Sequence, residues 1–252
     1  MALSLRQKLT IISLLIYWPA IFILAHIPIP DLVYRAQVSD KSLHFLAYLF
    51  LVSLLWFAVN PEKKADWRRA IVWWILIAVV WYAVIDELLQ ACVGRSCDVT
   101  DFLANLAGIL TGLILSTFLT FWPAVLVVTG ITIFLLANLT RVNLTELLPV
   151  TSRMFYLLAY GFFTMVWTRH MRFSLSLKAP QPRWLIEALG PPTVLLLSVE
   201  LFSFITGRGL QFSRPVMSAL GAATAVIAIF TTAMVRQRLA KKSSPRGCKR
   251  SV

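Results

Sequence analysis

The chain has 252 residues, 59% hydrophobic and 14% charged, and its 24 Lys and Arg outweigh 11 Asp and Glu to give a formal net charge of +13. So apolar a composition excludes a water-soluble fold. The basic residues gather in short clusters between apolar runs instead of striping a polar helix with interleaved aromatics. That excludes nucleic acid as the partner and defines a polytopic membrane protein.

Backbone polar groups must be satisfied within the segment inside hydrocarbon, so each apolar run of about 20 residues predicts a crossing helix. The first covers about Leu9 to Ile27, the second Ser42 to Val59 and the third Ala70 to Cys92. From Phe102 to Thr140 no side chain is charged. As one helix this run would be about 58 Å long, twice the hydrocarbon thickness. It therefore folds back, and Thr120-Phe121-Trp122-Pro123 is the expected break, because aromatics suit an interface and proline a helix start. That gives the fourth and fifth helices. The sixth is expected at Met154 to Thr168, the seventh at Glu187 to Ile205 with Pro191 and Pro192 near its beginning, and the eighth at Pro215 to Val235. The fold class is all-α, a bundle of about eight helices.

With the N-terminus in the cytoplasm, 17 of the 24 Lys and Arg fall on the cytoplasmic side and 7 on the other. The positive-inside rule selects this orientation, with both termini cytoplasmic. The tail after Arg236 reads as a disordered basic segment that suits anionic lipid or serves as a topology signal alone.

Sliding the sequence against itself brings motifs into register at a shift of 112 to 113 residues. Leu46-Ala47-Tyr48 returns as Leu158-Ala159-Tyr160, and Glu87, Gly94, Arg95 and Gly108 return as Glu200, Gly207, Arg208 and Gly221. The expected organisation is a four-helix unit over residues 1–121, a degenerate second unit over 122–236 and a basic tail over 237–252. Four crossings return the chain to its starting side, so the two repeats are parallel. The polar residues are not duplicated: Asp40 aligns with Ser152, His44 with Tyr156, Asp86 with Val199, Gln90 with Ser203, Asp101 with Arg214 and Asn105 with Ser218.

Ionisable groups inside a membrane cost about 2.5–3.5 kcal/mol each on insertion scales, yet the first unit collects them at one depth. Asp40, Lys41 and His44 open the second helix, Asp86, Glu87 and Gln90 close the third, Arg95 and Asp98 lie in the following loop, and Asp101 and Asn105 open the fourth. All fall on the outer side. Asp40 with His44, His44 with Tyr48, Asp86 with Gln90 and Asp101 with Asn105 stand four apart and share helix faces, while Glu87 and Gln90 share one at three. Asp86 and Glu87, as neighbours, point about 100° apart and are not a facing dyad. Ala104, Ala107, Gly108 and Gly112 give the fourth helix a small-residue stripe for close packing.

The ordered set Asp40-Lys41-x-x-His44-Phe45, Asp86-Glu87-x-x-Gln90, Arg95, Asp101, Asn105 and Gly108 resembles the motifs of the VanZ-like family of bacterial membrane proteins over about residues 10 to 120. The resemblance implies an integral cell-envelope protein of the bacterial cytoplasmic membrane. The family's namesake is associated with low-level resistance to the glycopeptide teicoplanin, which makes antibiotic resistance an implied role. The second, degenerate unit departs from the family pattern.

These residues suggest an outward-facing pocket for an anionic lipid or a lipid-linked cell-wall head group. Arg95 can fork onto the anion. Asp40, Lys41, Asp86, Gln90 and Asn105 line the pocket, and His44, Glu87 and Asp101 are the candidates for proton transfer. Whether chemistry follows binding is open, and so is enzyme status. A proton-coupled transporter and a non-catalytic scaffold are the alternatives. No H-E-x-x-H or Cys/His ligand spacing is present, so no metal is assigned, although His26, His44, Asp40 and Glu87 would allow one. Without a phosphate loop, dinucleotide fingerprint or nucleophile elbow, no cofactor is called for. Cys92 and Cys97 bracket Gly94, so a disulfide across that loop is allowed.

Overall fold

A computed structural model describes residues 4–26, 39–93, 98–138, 149–174, 182–207 and 212–243. Among them are eight helices and no strand: α1 (Leu5–His26), α2 (Asp40–Val59), α3 (Ala70–Cys92), α4 (Val99–Phe118), α5 (Phe121–Asn138), α6 (Pro149–Ser174), α7 (Pro182–Ile205) and α8 (Ser213–Ser243). The all-helical expectation holds, and the charge-free run breaks at Leu119 and Thr120, just ahead of the Phe121-Trp122-Pro123 start of α5. Seven of the helices are long and apolar enough to cross a membrane. The exception is α6, whose 26 residues include Arg153, Arg169, His170 and Arg172.

Several ends lie further out than the apolar runs. α2 starts at Asp40 and α6 extends from Pro149 to Ser174. α7 starts at Pro182, which puts Pro191 and Pro192 inside the helix instead of near its beginning. α8 continues to Ser243, beyond the expected limit at Val235, so the opening of the basic tail is helical. Arg, Lys and Gln are good helix formers, and no glycine or proline interrupts α8 after Gly221. Polarity ends a membrane run without ending a helix.

The chain divides into two compact units, Met1–Pro149 and Val150–Val252. α5, which the repeat reading places at the start of the second half, packs in the first unit beside α2 and α4.

In the first unit α2 and α4 are held closest together by glycine. A Cβ on Gly108 would collide with the backbone carbonyl of Phe45 and lie 3.0 Å from Leu49 N. One on Gly112 would strike the Val52 side chain. Tyr48, Leu51, Val52, Trp56, Ile109 and Leu113 are buried between these helices and their neighbours. At the end of the unit that holds the α2–α3 connection, the backbone N–H of Ala65 donates to Ser116 O at 2.8 Å, and Trp67 Nε1 donates to Thr117 Oγ1 at 2.9 Å. Arg6 reaches Glu62 through Nη1 at 2.9 and 3.0 Å and lies 5.8 Å over the Trp122 ring. Outward-facing Leu15, Ile16, Trp74 and Trp81 are 63–68% exposed, an apolar surface suited to lipid.

The second unit has its own glycine contact: a Cβ on Gly221 would collide with the carbonyl of Leu157. Met171, Trp184, Ala188 and Val226 form one of its cores. Its buried polar residues include Thr164, Glu200, Ser203, Arg214 and Ser218. Arg214 Nη2 donates to Ser203 Oγ at 2.9 Å and lies 3.9 Å from Glu200 Oε2, all three buried.

Candidate functional site

Antiparallel neighbours bring the start of α2, the end of α3 and the start of α4 to one end of the first unit, with the end of α1 beside them. Residues distant in sequence therefore meet as two adjoining clusters.

The first cluster centres on His44. Its Nδ1 lies 3.0 Å from Asn105 Oδ1 and 3.7 Å from Glu87 Oε1, and its Nε2 lies 3.8 Å from Asp40 Oδ1. Asn105 Nδ2 donates to Glu87 Oε1 at 3.0 Å. These contacts are consistent with one arrangement of the hydrogens. The amide nitrogen of Asn105 can only donate and its oxygen only accept, so with the nitrogen on Glu87 and the oxygen on His44 it is the Nδ1 tautomer of His44 that completes the chain. In the neutral imidazole Nε2 then holds a lone pair on the side of Asp40. Asp101 closes the group, with one ligand-capable atom from each of Asp40, His44 and Asp101 lying within 4.8 Å of the other two.

The second cluster centres on Asp86. Tyr48 OH and Gln90 Nε2 donate to Oδ2 at 3.1 and 3.3 Å, while His26 Nδ1 lies 3.9 Å from Oδ1. Gln90 thus serves Asp86, its partner at four residues, and not Glu87 at three. The two neighbouring carboxylates belong to different clusters, as their 100° separation requires.

Glu87, Asp86, Gln90, Asn105, Asp101 and His44 are all buried. Asp40 has a half-exposed side chain and Lys41 is exposed, so the group opens along the first turn of α2. Glu87 Oε2 and Asp86 Oδ1 are buried with no hydrogen-bond partner among the described residues. Asp98 N-caps α4 by accepting from Thr100 N at 2.8 Å. That backbone donor holds its carboxyl below the usual range.

Of the residues singled out from sequence, Asp40, His44, Asp86, Glu87, Gln90, Asp101 and Asn105 come together. Lys41 stands exposed at the edge of the group. Arg95 and Cys97 lie outside the described residues, while Cys92 is exposed as a free thiol. Two contributors went unassigned in the pocket reading: Tyr48, the hydroxyl donor to Asp86, and His26. Tyr48 stands one turn beyond His44 on the same face, and that spacing was the available signal.

The chain is thus a multi-pass, all-helical membrane protein whose first unit buries an acid-rich polar cluster at one end. The VanZ/LLP1 family model matches residues 6–122. The match contains every residue of both clusters, so the chain is VanZ-like over the unit that carries the site. No curated protein and no solved structure matches the chain.

Proposed function

We propose that the first unit is a binding site for the anionic head group of a membrane lipid or a lipid-linked cell-envelope precursor, on the outer side of a bacterial cytoplasmic membrane. The observation that carries this reading is the linked pair of buried clusters. Interhelical hydrogen bonds in membranes return only about 0.6–2 kcal/mol each. Glu87 Oε2 and Asp86 Oδ1, both buried without a hydrogen bond from a described residue, cost more than adhesion between helices needs. The positive-inside count supports the outer placement and cytoplasmic termini.

Arg95 supplies a guanidinium for the anion, with Lys41 at the edge. Asp40, Asp86, Gln90 and Asn105 shape and orient the site. His44, Glu87 and Asp101 are the groups able to accept or deliver a proton if a reaction follows binding. The second half of the chain reads as a degenerate repeat that serves as scaffold. Two equivalent glycine contacts favour this, Gly108 against Phe45 and Gly221 against Leu157, at shifts of 113 and 112.

In the cell this activity would reduce susceptibility to glycopeptides of the teicoplanin type. The test is expression of the wild type, His44→Ala and Glu87→Ala at matched protein level. The reading expects lowered teicoplanin susceptibility with the wild type and host-level susceptibility with both variants. Variants that protect as well as the wild type would contradict it.

A further inference from the structure

An anion-binding reading faces a difficulty in its own site. Four carboxylates, Asp40, Asp86, Glu87 and Asp101, gather around two imidazoles, while the single ammonium of Lys41 stands exposed at their edge. Such a set attracts a cation and repels a phosphate, unless a cation stands between them.

We propose that Asp40, His44 and Asp101 bind a divalent metal ion of the Mn2+ or Zn2+ class, which presents open coordination positions to the phosphate of the head group. The inference rests on the head-group reading for its purpose, though not for its geometry.

Four observations carry it. The first is the ligand set: one atom from each of the three side chains lies within 4.8 Å of the others. Metal–ligand bonds of about 2.0–2.2 Å need atoms about 3–3.5 Å apart. Closing the widest of these separations takes a shift of about 1–2 Å among the three side chains. Two oxygens and one imidazole nitrogen suit Mn2+ or Zn2+.

The second is the state of His44. Its Nδ1–H donates to Asn105, and Asn105 is held in turn by Glu87. A ring N–H committed to such a partner is the usual way a metal-binding histidine is oriented, and it frees Nε2 as the ligand on the side of Asp40. The third is Asp101. It is 7% exposed, and no side-chain hydrogen bond from a described residue reaches its carboxylate.

The fourth comes from the second unit. At the positions aligned with Asp40, His44 and Asp101 it carries Ser152, Tyr156 and Arg214. All three metal ligands are lost together. A buried guanidinium appears instead, 3.9 Å from Glu200, the counterpart of Glu87. Where the ligands are missing, the protein supplies a covalent cation.

The experiment uses full-length protein in detergent, stripped of lipid and treated with chelator, then titrated calorimetrically with Mn2+ and with Zn2+ in the absence of any lipid. The expected result is one saturable site per chain for at least one of these ions. That site is lost in Asp40→Asn and His44→Gln, weakened about 10- to 100-fold in Asn105→Ala, and unchanged in Asp66→Asn at the other end of the unit. Asp40→Asn changes a half-exposed side chain and keeps the test valid if His44→Gln fails to fold. No saturable binding to folded wild type, or a site that survives in both Asp40→Asn and His44→Gln, would overturn the proposal. Lipid retained by a protein that binds no metal would sink the metal alone, and metal bound by a protein that retains no lipid would sink the head-group reading alone.

Discussion

Asn105 bridges Glu87 and His44, donating through Nδ2 to Glu87 Oε1 and accepting through Oδ1 from His44 Nδ1, both at 3.0 Å. The carboxamide is a donor on one side and an acceptor on the other, and only that polarity joins an ionised carboxylate to an imidazole with a defined hydrogen position. Asn105→Leu keeps the approximate volume and breaks both bonds, leaving a buried carboxylate and a buried ring nitrogen unpaired. A loss of about 1–3 kcal/mol in stability is expected, read by unfolding in detergent. Asn105→Asp should be at least as damaging, because it sets a second carboxylate against Glu87.

Gly108 and Gly112 predict different outcomes for the same substitution. A methyl at Gly108 meets the backbone of α2, which cannot yield without separating the helices, whereas one at Gly112 meets chiefly the end of the Val52 side chain. Gly108→Ala should cost about 1–3 kcal/mol or more, and Gly112→Ala clearly less. Thermal melts of the two variants compare them directly. Gly221→Ala in the second unit should resemble Gly108→Ala, since its methyl also meets backbone, at Leu157.

Tyr48 and Gln90 both donate to Asp86 Oδ2. Tyr48→Phe removes the shorter bond and leaves the ring packing intact. The expected loss is about 0.6–2 kcal/mol, the range for interhelical hydrogen bonds in membranes. Tyr48→Phe combined with Gln90→Leu should lose more than the two single changes together, because the carboxylate then has neither donor. A double-mutant cycle on the unfolding free energy measures that coupling.

Asp98 gives the start of α4 a pH dependence of known sign. The Thr100 N–H lowers the folded pKa of its carboxyl, so its contribution is present above the ordinary carboxylate value of about 4 and is lost as pH falls through the lowered folded value. The Thr100 amide resonance should titrate below about pH 4, and in Asp98→Asn that titration should disappear.

The helices were legible in the sequence because hydrocarbon imposes both a length and complete internal hydrogen bonding, so Ala70–Cys92 and the break before Phe121 could be placed from apolarity and proline alone. The gathering of His44, Glu87 and Asn105 at one end was legible for a related reason, since antiparallel crossings carry the start of one helix to the end of the next. The pairings were not. Whether Gln90 turns to Asp86 or Glu87, and whether Tyr48 reaches Asp86, depends on how each helix is rotated about its axis against its neighbours. That rotation is set by contacts such as Gly108 on Phe45 across 63 residues of chain. The ends of α6 and α8 were misplaced because apolar content marks a membrane run and says little about where helical hydrogen bonding stops.

The central claim is that the buried clusters of the first unit hold an anionic head group. Native mass spectrometry of the full-length protein, released gently from detergent, tests it most directly by weighing what stays bound. The account predicts a discrete adduct with the mass of a phosphate-bearing lipid or lipid-linked precursor on the wild type, strongly reduced in Glu87→Gln and in Arg95→Ala, with both variants still folded. A wild type that carries no lipid beyond the unspecific background, or adducts of equal abundance on all three proteins, would contradict it.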